Sequence, residues 1–142
     1  MLAAWKRRIE EKKAKEKAIA ESRYWRTHPR LQGCLQAMRG SCTVAPVEMH
    51  EAAIAAVNIA LGEDILTTVE AMTDVPEDFM PEAVFLVWDD ERLPVMKALW
   101  VLARTQLQDV RAVSGRTFLV SENLERILSF DAEGRPILYS IT

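Results

Sequence analysis

The sequence contains little glycine, cysteine or histidine, and this scarcity argues against several classes of site. Its 142 residues include five glycines, two cysteines and two histidines. Two cysteines do not make the disulfide framework of a small secreted domain, and so few glycines disfavour the loops that cradle phosphates. The nucleophile-elbow, P-loop and dinucleotide motifs are absent, and His50-Glu51 lacks the second histidine of the H-E-x-x-H zinc motif. We therefore expect a protein with no catalytic activity and no cofactor.

Long apolar runs are also missing. The best candidate, Ala52 to Leu61, spans ten residues and is interrupted by Asn58, whereas a membrane-crossing helix needs about 18 or more. Lysine and arginine begin at residue 6, and no apolar core of about 7–15 residues follows them, as it would in a secretory signal. These patterns predict a soluble, cytoplasmic protein with no transmembrane segment.

What the sequence does contain is an uneven distribution of charge behind a net charge of −3. Residues 1–40 carry eleven basic and four acidic side chains, whereas residues 41–142 carry seven basic and seventeen acidic ones. A basic segment beside an acidic body suggests contact with nucleic acid, an anionic surface or an acidic protein patch. The chain has the length of one domain. We assign residues 1–26 to a basic helix and residues 27–142 to a single acidic α+β domain.

Residues 1–26 (MLAAWKRRIEEKKAKEKAIAESRYWR) have the composition of a solvated helix. They contain no glycine or proline and are rich in Ala, Lys, Glu and Arg, which favour helices. Opposite charges recur four residues apart, as in Lys6 with Glu10 and Lys12 with Glu16, and each such pair stabilises a helix by about 0.2–0.5 kcal/mol. A helix that is polar on nearly all sides does not fill a core, so we predict that this one projects from the body.

Helical periodicity and glycine or proline boundaries predict four helices in the body, over residues 29–39, 46–61, 64–72 and 90–113. The last is the predicted central core helix, because apolar side chains recur along it at spacings of three and four: Leu93, Met96, Trp100, Ala103, Leu107 and Val110. The run Ala83 to Trp88 (AVFLVW) has the length and β-branched content of a buried strand. A short buried helix stays open as an alternative there, because periodicity does not decide so short a run.

The C-terminal residues change to the pattern of a small sheet. Strand-like segments cover residues 117–120, 125–130 and 136–141, and the last two flank Asp131-Ala132-Glu133-Gly134, a turn of hairpin length. We therefore predict an α+β fold. It consists of a mostly helical body of four to five helices, a C-terminal three-stranded antiparallel sheet and the projecting basic N-terminal helix.

The basic helix supplies the main functional hypothesis, a non-catalytic binding or regulatory protein that engages a macromolecular protein partner. A helix of this kind can lie in the groove of another protein or across a second copy of the same chain. We select its basic and aromatic side chains as the partner-binding residues: Trp5, Arg8, Lys12, Tyr24 and Trp25. A protein partner or a homo-oligomer is thus the first expectation.

Nucleic-acid binding is the alternative hypothesis. Arginine and lysine interleaved with aromatic side chains in the basic helix suit phosphate contact and base stacking. A second basic set, spaced by seven residues, would share one face of the predicted central helix: Lys97, Arg104 and Arg111. Against this hypothesis, the acidic body would repel phosphate.

Two constellations contain side chains suited to metal binding or catalysis. All the histidines and cysteines lie within 23 residues: His28, Cys34, Cys42 and His50. Zinc takes such ligands, but their spacing matches no common zinc module, so this set is only a weak candidate and no metal site is predicted.

The triplet Asp89-Asp90-Glu91 offers carboxylates for Mg²⁺ or acid–base chemistry. The start of a helix attracts acidic residues equally well.

Overall fold

A computed structural model of the chain describes residues 2–21, 23–62, 67–72, 74–75 and 82–141. Within these residues the chain forms six helices and seven strands. The helices are α1 (Leu2–Glu21), α2 (Arg23–Arg26), α3 (Pro29–Ala37), α4 (Val47–Leu61), α5 (Trp100–Thr105) and α6 (Leu107–Arg111). The strands are β1 (Thr43–Val44), β2 (Thr67–Ala71), β3 (Ala83–Trp88), β4 (Met96–Leu99), β5 (Thr117–Ser121), β6 (Arg126–Phe130) and β7 (Pro136–Ile141).

The seven strands in the described part of the chain form one antiparallel sheet, in the order β1-β4-β3-β5-β6-β7-β2. Strand β3 lies inside it between β4 and β5, and all six of its residues are buried. Its continuous apolar run follows from this position, because a strand covered on both faces has no solvent side on which to place polar residues. Residues 83–88 therefore form the strand that the sequence favours.

The predicted fold class is wrong in its proportions. The structure has about 43% helix and 26% strand, and the sheet has seven strands rather than three. The three predicted C-terminal strands exist as β5, β6 and β7, but they are neighbours within the larger sheet. The body is therefore not mostly helical. The prediction failed because strand pairing between distant segments brings four further strands beside these three.

Helices cover both faces of this sheet. Side chains alternate between the two faces of a strand, so Leu86 of β3 enters one apolar cluster and Phe85 enters the other. The first cluster packs against α3, α5 and α6 through Leu31, Cys34, Trp100, Ala103 and Val110. The second packs against α4 through Ala53, Ala56, Val57 and Ala60. The domain thus has a helical layer on each side of one sheet.

The predicted central helix over residues 90–113 is wrong in its first half. Residues 96–99 are strand β4, and only α5 and α6 follow as short helices. Val95 packs in the α4-side cluster and Met96 in the opposite one. This alternation is the pattern of a strand inside a sheet that is covered on both faces. Pairing with β3, with Leu86 opposite Met96, supplies the hydrogen bonds that a helix would otherwise make.

The predicted helix over residues 64–72 is also wrong where the structure describes it. Residues 67–71 form strand β2, which pairs with β7 in continuous register from Thr67 opposite Ile141 to Ala71 opposite Ile137. Residues 63–66 lie outside the described residues. The apolar spacing that favours a helix here also occurs in a β-branched segment, and the ladder with β7 decides between the two.

The helices at residues 29–39 and 46–61 are confirmed as α3 and α4. The side chain of His28 caps α3 by accepting a hydrogen bond from the Leu31 N–H at 3.2 Å. After α3 the chain turns through Arg39 and Gly40, both with positive φ. Gly62 follows the last residue of α4, as predicted. Local capping and turn signals were sufficient to place both helices.

The basic helix contacts the body at α4, while nearly all of its described side chains stay exposed. Helix α1 contacts α4, and the Lys12 ammonium lies 2.6 Å from a carboxylate oxygen of Glu51 on that helix. Opposite charges on α1 and α4 therefore meet across the contact. None of the helices in the described segments combines the length and apolar character that a bilayer crossing requires.

Candidate binding cleft and basic helix

A cleft of about 520 Å³ lies between α4, the segment that joins β3 to β4, and α1. Its apolar lining comes from α4, from strands β3 and β5, and from the segment between β3 and β4. These residues are Ile54, Val57, Leu61, Val87, Leu93, Val95 and Phe118. Ile54 and Leu61 of α4 are 43% and 40% exposed, and the alanines of this helix pack on the sheet instead. Small side chains let the helix approach the sheet closely, so its larger side chains are left to line the cleft.

Charged side chains border this apolar lining. Lys12 of α1 and Arg116, which precedes β5, contribute cations, and Asp89, Asp90 and Glu91 contribute carboxylates. The Ser114 hydroxyl donates to Asp89 at 2.7 Å. The mouth of the cleft therefore has both signs of charge around an apolar interior, a combination typical of sites that bind amphipathic ligands or peptide side chains.

Tyr24 and Asp90 connect α2 to one side of the cleft. The Tyr24 hydroxyl donates to the Asp90 carboxylate at 2.9 Å. The Arg92 backbone N–H and Nε donate to the same carboxylate at 2.9 and 3.1 Å, and the Arg92 guanidinium lies 4.2 Å from the centre of the Tyr24 ring. Partial burial acts to raise the pKa of Asp90, but the hydrogen bonds from Arg92 and Tyr24 outweigh it, so the pKa is lowered.

We expect Asp90→Asn to destabilise the protein by roughly 1 kcal/mol at neutral pH, because charge-assisted hydrogen bonds at a partly exposed site are lost. A lowered folded-state pKa means that the carboxylate stabilises the fold above its ordinary pKa of 3.8. This contribution is lost as the pH falls through the lower, folded-state pKa. Urea denaturation of both proteins from pH 7 to pH 2.5 should show the difference in unfolding free energy shrinking toward acid pH.

Glu91→Gln is the matched control for this series. Glu91 is the next residue and is exposed, so its replacement should leave the unfolding free energy within about 0.5 kcal/mol. A difference between wild type and Asp90→Asn that stayed constant down to pH 2.5 would contradict the assignment of a stabilising carboxylate.

His50, Asp89 and Asp90 all line the cleft, and each makes a hydrogen bond with its surroundings. His50 is buried, and its Nε2 lies 3.1 Å from the Ala45 carbonyl oxygen. Burial lowers the pKa of His50, while this backbone hydrogen bond opposes the shift. Asp89 and Asp90 accept the side-chain hydrogen bonds described above. These contacts make the three residues part of the local framework.

Four of the five predicted partner-binding residues fall into two groups. Arg8 and Lys12 are exposed on α1, whereas the side chain of Trp5 lies outside the described part of the structure. Tyr24 and Trp25 are half-buried and pack against the core cluster on the α3 side. The structure therefore brings Tyr24 and Trp25 to the body, separate in role from the exposed basic residues of α1.

The second basic set does not form a row on one helix, because Lys97 lies on β4 while Arg104 and Arg111 lie on α5 and α6. Lys97 lies 3.5 Å from the Glu122 carboxylate. The Arg111 guanidinium stacks 4.2 Å from the centre of the Phe130 ring. The shared helical face that the nucleic-acid hypothesis predicts is therefore absent in these residues.

The four histidines and cysteines are not brought together. His28 caps α3, His50 bonds to the backbone at Ala45, and Cys34 and Cys42 are buried in the cluster on the opposite face of the sheet from α4. Among the residues that the structure describes, no three His, Cys, Asp or Glu side chains lie close enough to hold a metal ion.

The cleft was not predicted from the sequence, although α4 carries a signal for it. Its alanines face the sheet, while Ile54, Ile59 and Leu61 stay exposed at 40–44%. A helix with apolar side chains beyond its core-facing stripe indicates a second contact surface.

Compared with models of protein families and with curated proteins, the chain shows no match to either.

Proposed function

We propose that this chain is a non-catalytic binding protein that engages an acidic segment of a protein partner through the exposed basic side chains of α1 and the adjoining cleft. The observation that carries the proposal is the position of Lys12, which lies on α1 and also lines the apolar cleft. A cationic surface and an apolar pocket are thereby continuous. A partner helix with acidic side chains on one face and an apolar side chain on another would fit both.

The charges of α1 support this assignment. Lys6, Arg7, Arg8 and Lys13 are all exposed, so their charges are available to attract carboxylates. Complementary charges raise the rate and selectivity of association, while apolar side chains that enter a pocket contribute most of the affinity. The helix would therefore select the partner, and the cleft would hold it.

The proposal predicts binding of a defined probe. An amphipathic helical peptide of glutamate and leucine, labelled with a fluorophore, should bind the full chain, because its two faces match the helix and the cleft. The double variant Arg7→Glu and Arg8→Glu should weaken binding at least about tenfold, since like charges would then face each other. Ile54→Asp should weaken it similarly by placing a carboxylate in the apolar lining. Fluorescence anisotropy measures each dissociation constant.

The control is a double charge reversal of equal size elsewhere, Arg39→Glu with Arg135→Glu. Both residues are exposed and lie outside α1 and the cleft, so affinity for the peptide should change less than threefold. Equal losses of peptide affinity in both double variants would mean that net charge alone causes the effect, and this would contradict the assigned surface.

Single-stranded DNA and RNA serve as competing probes in the same assay. Nucleic acid bound more tightly than the peptide, with affinity falling steeply with salt, would replace the proposal by the alternative hypothesis.

A further inference from the structure

The two edges of the sheet differ in a way that the proposed function does not use. At one edge, β1 has two residues, and Ala45 and Pro46 lead directly into α4. At the other edge, β2 has five residues in unbroken register with β7. Natural sheets protect their edges with short strands, lysine, proline or bulges. Strand β1 is protected by its shortness, whereas the five described residues of β2 include no lysine, proline or bulge, and Glu70 is their one charged side chain.

The hydrogen-bonding pattern shows which backbone groups of β2 face outward. The Met72 N–H donates to the Pro136 carbonyl at 3.0 Å, and bonded pairs alternate along an antiparallel ladder. Glu70 therefore bonds to β7 through its pairing with Leu138. The N–H and C=O groups of Val69 and Ala71 consequently point away from β7. In the described part of the chain, no strand pairs with this side of β2.

The side chains on this edge are also accessible. Val69 is 61% exposed, and Glu70 and Ala71 are exposed as well. Val69 and Glu70 point to opposite faces of the sheet, because side chains alternate along a strand. An added strand would therefore meet an apolar side chain on one face and a carboxylate on the other.

The segment of sequence that contains β2 carries charge of a single sign. The sequence from residue 63 to residue 82 contains seven acidic residues and no lysine, arginine or histidine. Two of these acids, Glu70 on the strand and Asp74 just after it, are exposed. A second copy of the chain pairing through β2 would bring two such acidic segments together, which is unfavourable. A positively charged segment would be attracted.

We propose that the outer edge of β2 is a docking site for a basic, extended segment of a partner protein, which adds to the sheet as a further strand. The backbone of Val69 and Ala71 provides the hydrogen bonds, and Glu70 selects lysine or arginine on its face of the added strand. Val69 provides an apolar contact on the other face. The preferred partner therefore alternates basic and apolar residues over about five to seven positions. This site is independent of α1 and the cleft.

The test uses capped seven-residue peptides that alternate lysine with valine, or threonine with valine. The lysine peptide should bind the full chain at least tenfold more tightly than the threonine peptide, measured by anisotropy at moderate salt. Val69→Pro should weaken binding of the lysine peptide at least tenfold. Proline removes an N–H that β7 does not use, so the variant keeps its ladder and its charge. Circular dichroism should show the same unfolding midpoint within a few degrees.

Glu70→Lys should also weaken binding of the lysine peptide at least tenfold. Glu48→Lys, at an exposed position on α4, is its charge-matched control and should change binding less than threefold. Amide NMR spectra provide a second readout, in which Val69 and Ala71 should shift most on titration. Unchanged binding by a folded Val69→Pro variant, or equal binding of the two peptides, would overturn the proposal. A chain that sediments as a dimer and becomes monomeric with Val69→Pro would also overturn it, because a second copy would then occupy the edge.

Discussion

Trp100→Ala should destabilise the protein by about 3–5 kcal/mol, the usual range for removing a fully buried large aromatic side chain. Trp100 is 1% exposed and belongs to the core cluster that joins α5 to the sheet. Its removal takes away apolar contact and leaves a cavity that neighbouring residues fill only in part. Because a domain of this size is stable by about 5–15 kcal/mol in total, much of its stability would be lost. Urea denaturation followed by circular dichroism measures the effect independently of tryptophan fluorescence.

Val101→Ala is the neighbouring control. Val101 follows Trp100 in α5 but is 68% exposed, and alanine favours helices more than valine does. Its replacement should therefore change the unfolding free energy by no more than about 0.5 kcal/mol. A loss below about 1.5 kcal/mol for Trp100→Ala would contradict the position of Trp100 in the core.

The two thiols should react with Ellman's reagent at pH 8 at least about 100-fold more slowly in the folded protein than in the unfolded chain. Burial raises the pKa of Cys42 to about 12 and that of Cys34 to about 11. The nearby Cys34 raises the pKa of Cys42 further, and the nearby Asp109 raises the pKa of Cys34 further. Because the thiolate is the reacting form, a raised pKa and an inaccessible sulfur slow the reaction together. Absorbance at 412 nm, with and without guanidinium, follows both thiols.

Ala55→Cys places a third thiol on the exposed side of α4 and provides an internal reference. One thiol per chain should then react quickly in the folded protein, while the other two react slowly. Rapid labelling of all three thiols without denaturant would contradict the burial of Cys34 and Cys42 against α3 and the sheet.

The elements that were predictable from the sequence are those whose ends depend on nearby residues. Helix α3 has its cap at His28 and its turn at Gly40, and the β6–β7 hairpin has Gly134 with positive φ in its turn. The Asp131 side chain accepts a hydrogen bond from the Arg135 N–H at 2.9 Å within the same turn. Such interactions act within a few residues, so a local pattern contains the information needed to place them.

The site was less predictable than these elements. The sequence indicates a basic helix, but it does not show that Lys12 borders an apolar cleft or that Tyr24 bonds to Asp90, 66 residues away. An aromatic residue beside basic residues looks the same whether it binds a partner or its own domain. Only the packing of α2 against the body distinguishes the two roles.

By itself the sequence determined the charge division, the helices α1, α3 and α4, and the C-terminal hairpin, because propensity, capping and turn chemistry act locally. The tertiary structure decided the state of residues 67–71 and 96–99. The apolar spacings of both segments are compatible with a helix. They form strands because distant strands supply their hydrogen bonds, with Val69 opposite Tyr139 and Met96 opposite Leu86. Those pairings produced the seven-stranded sheet, the position of β2 at the edge of the described strands and the cleft beside α1.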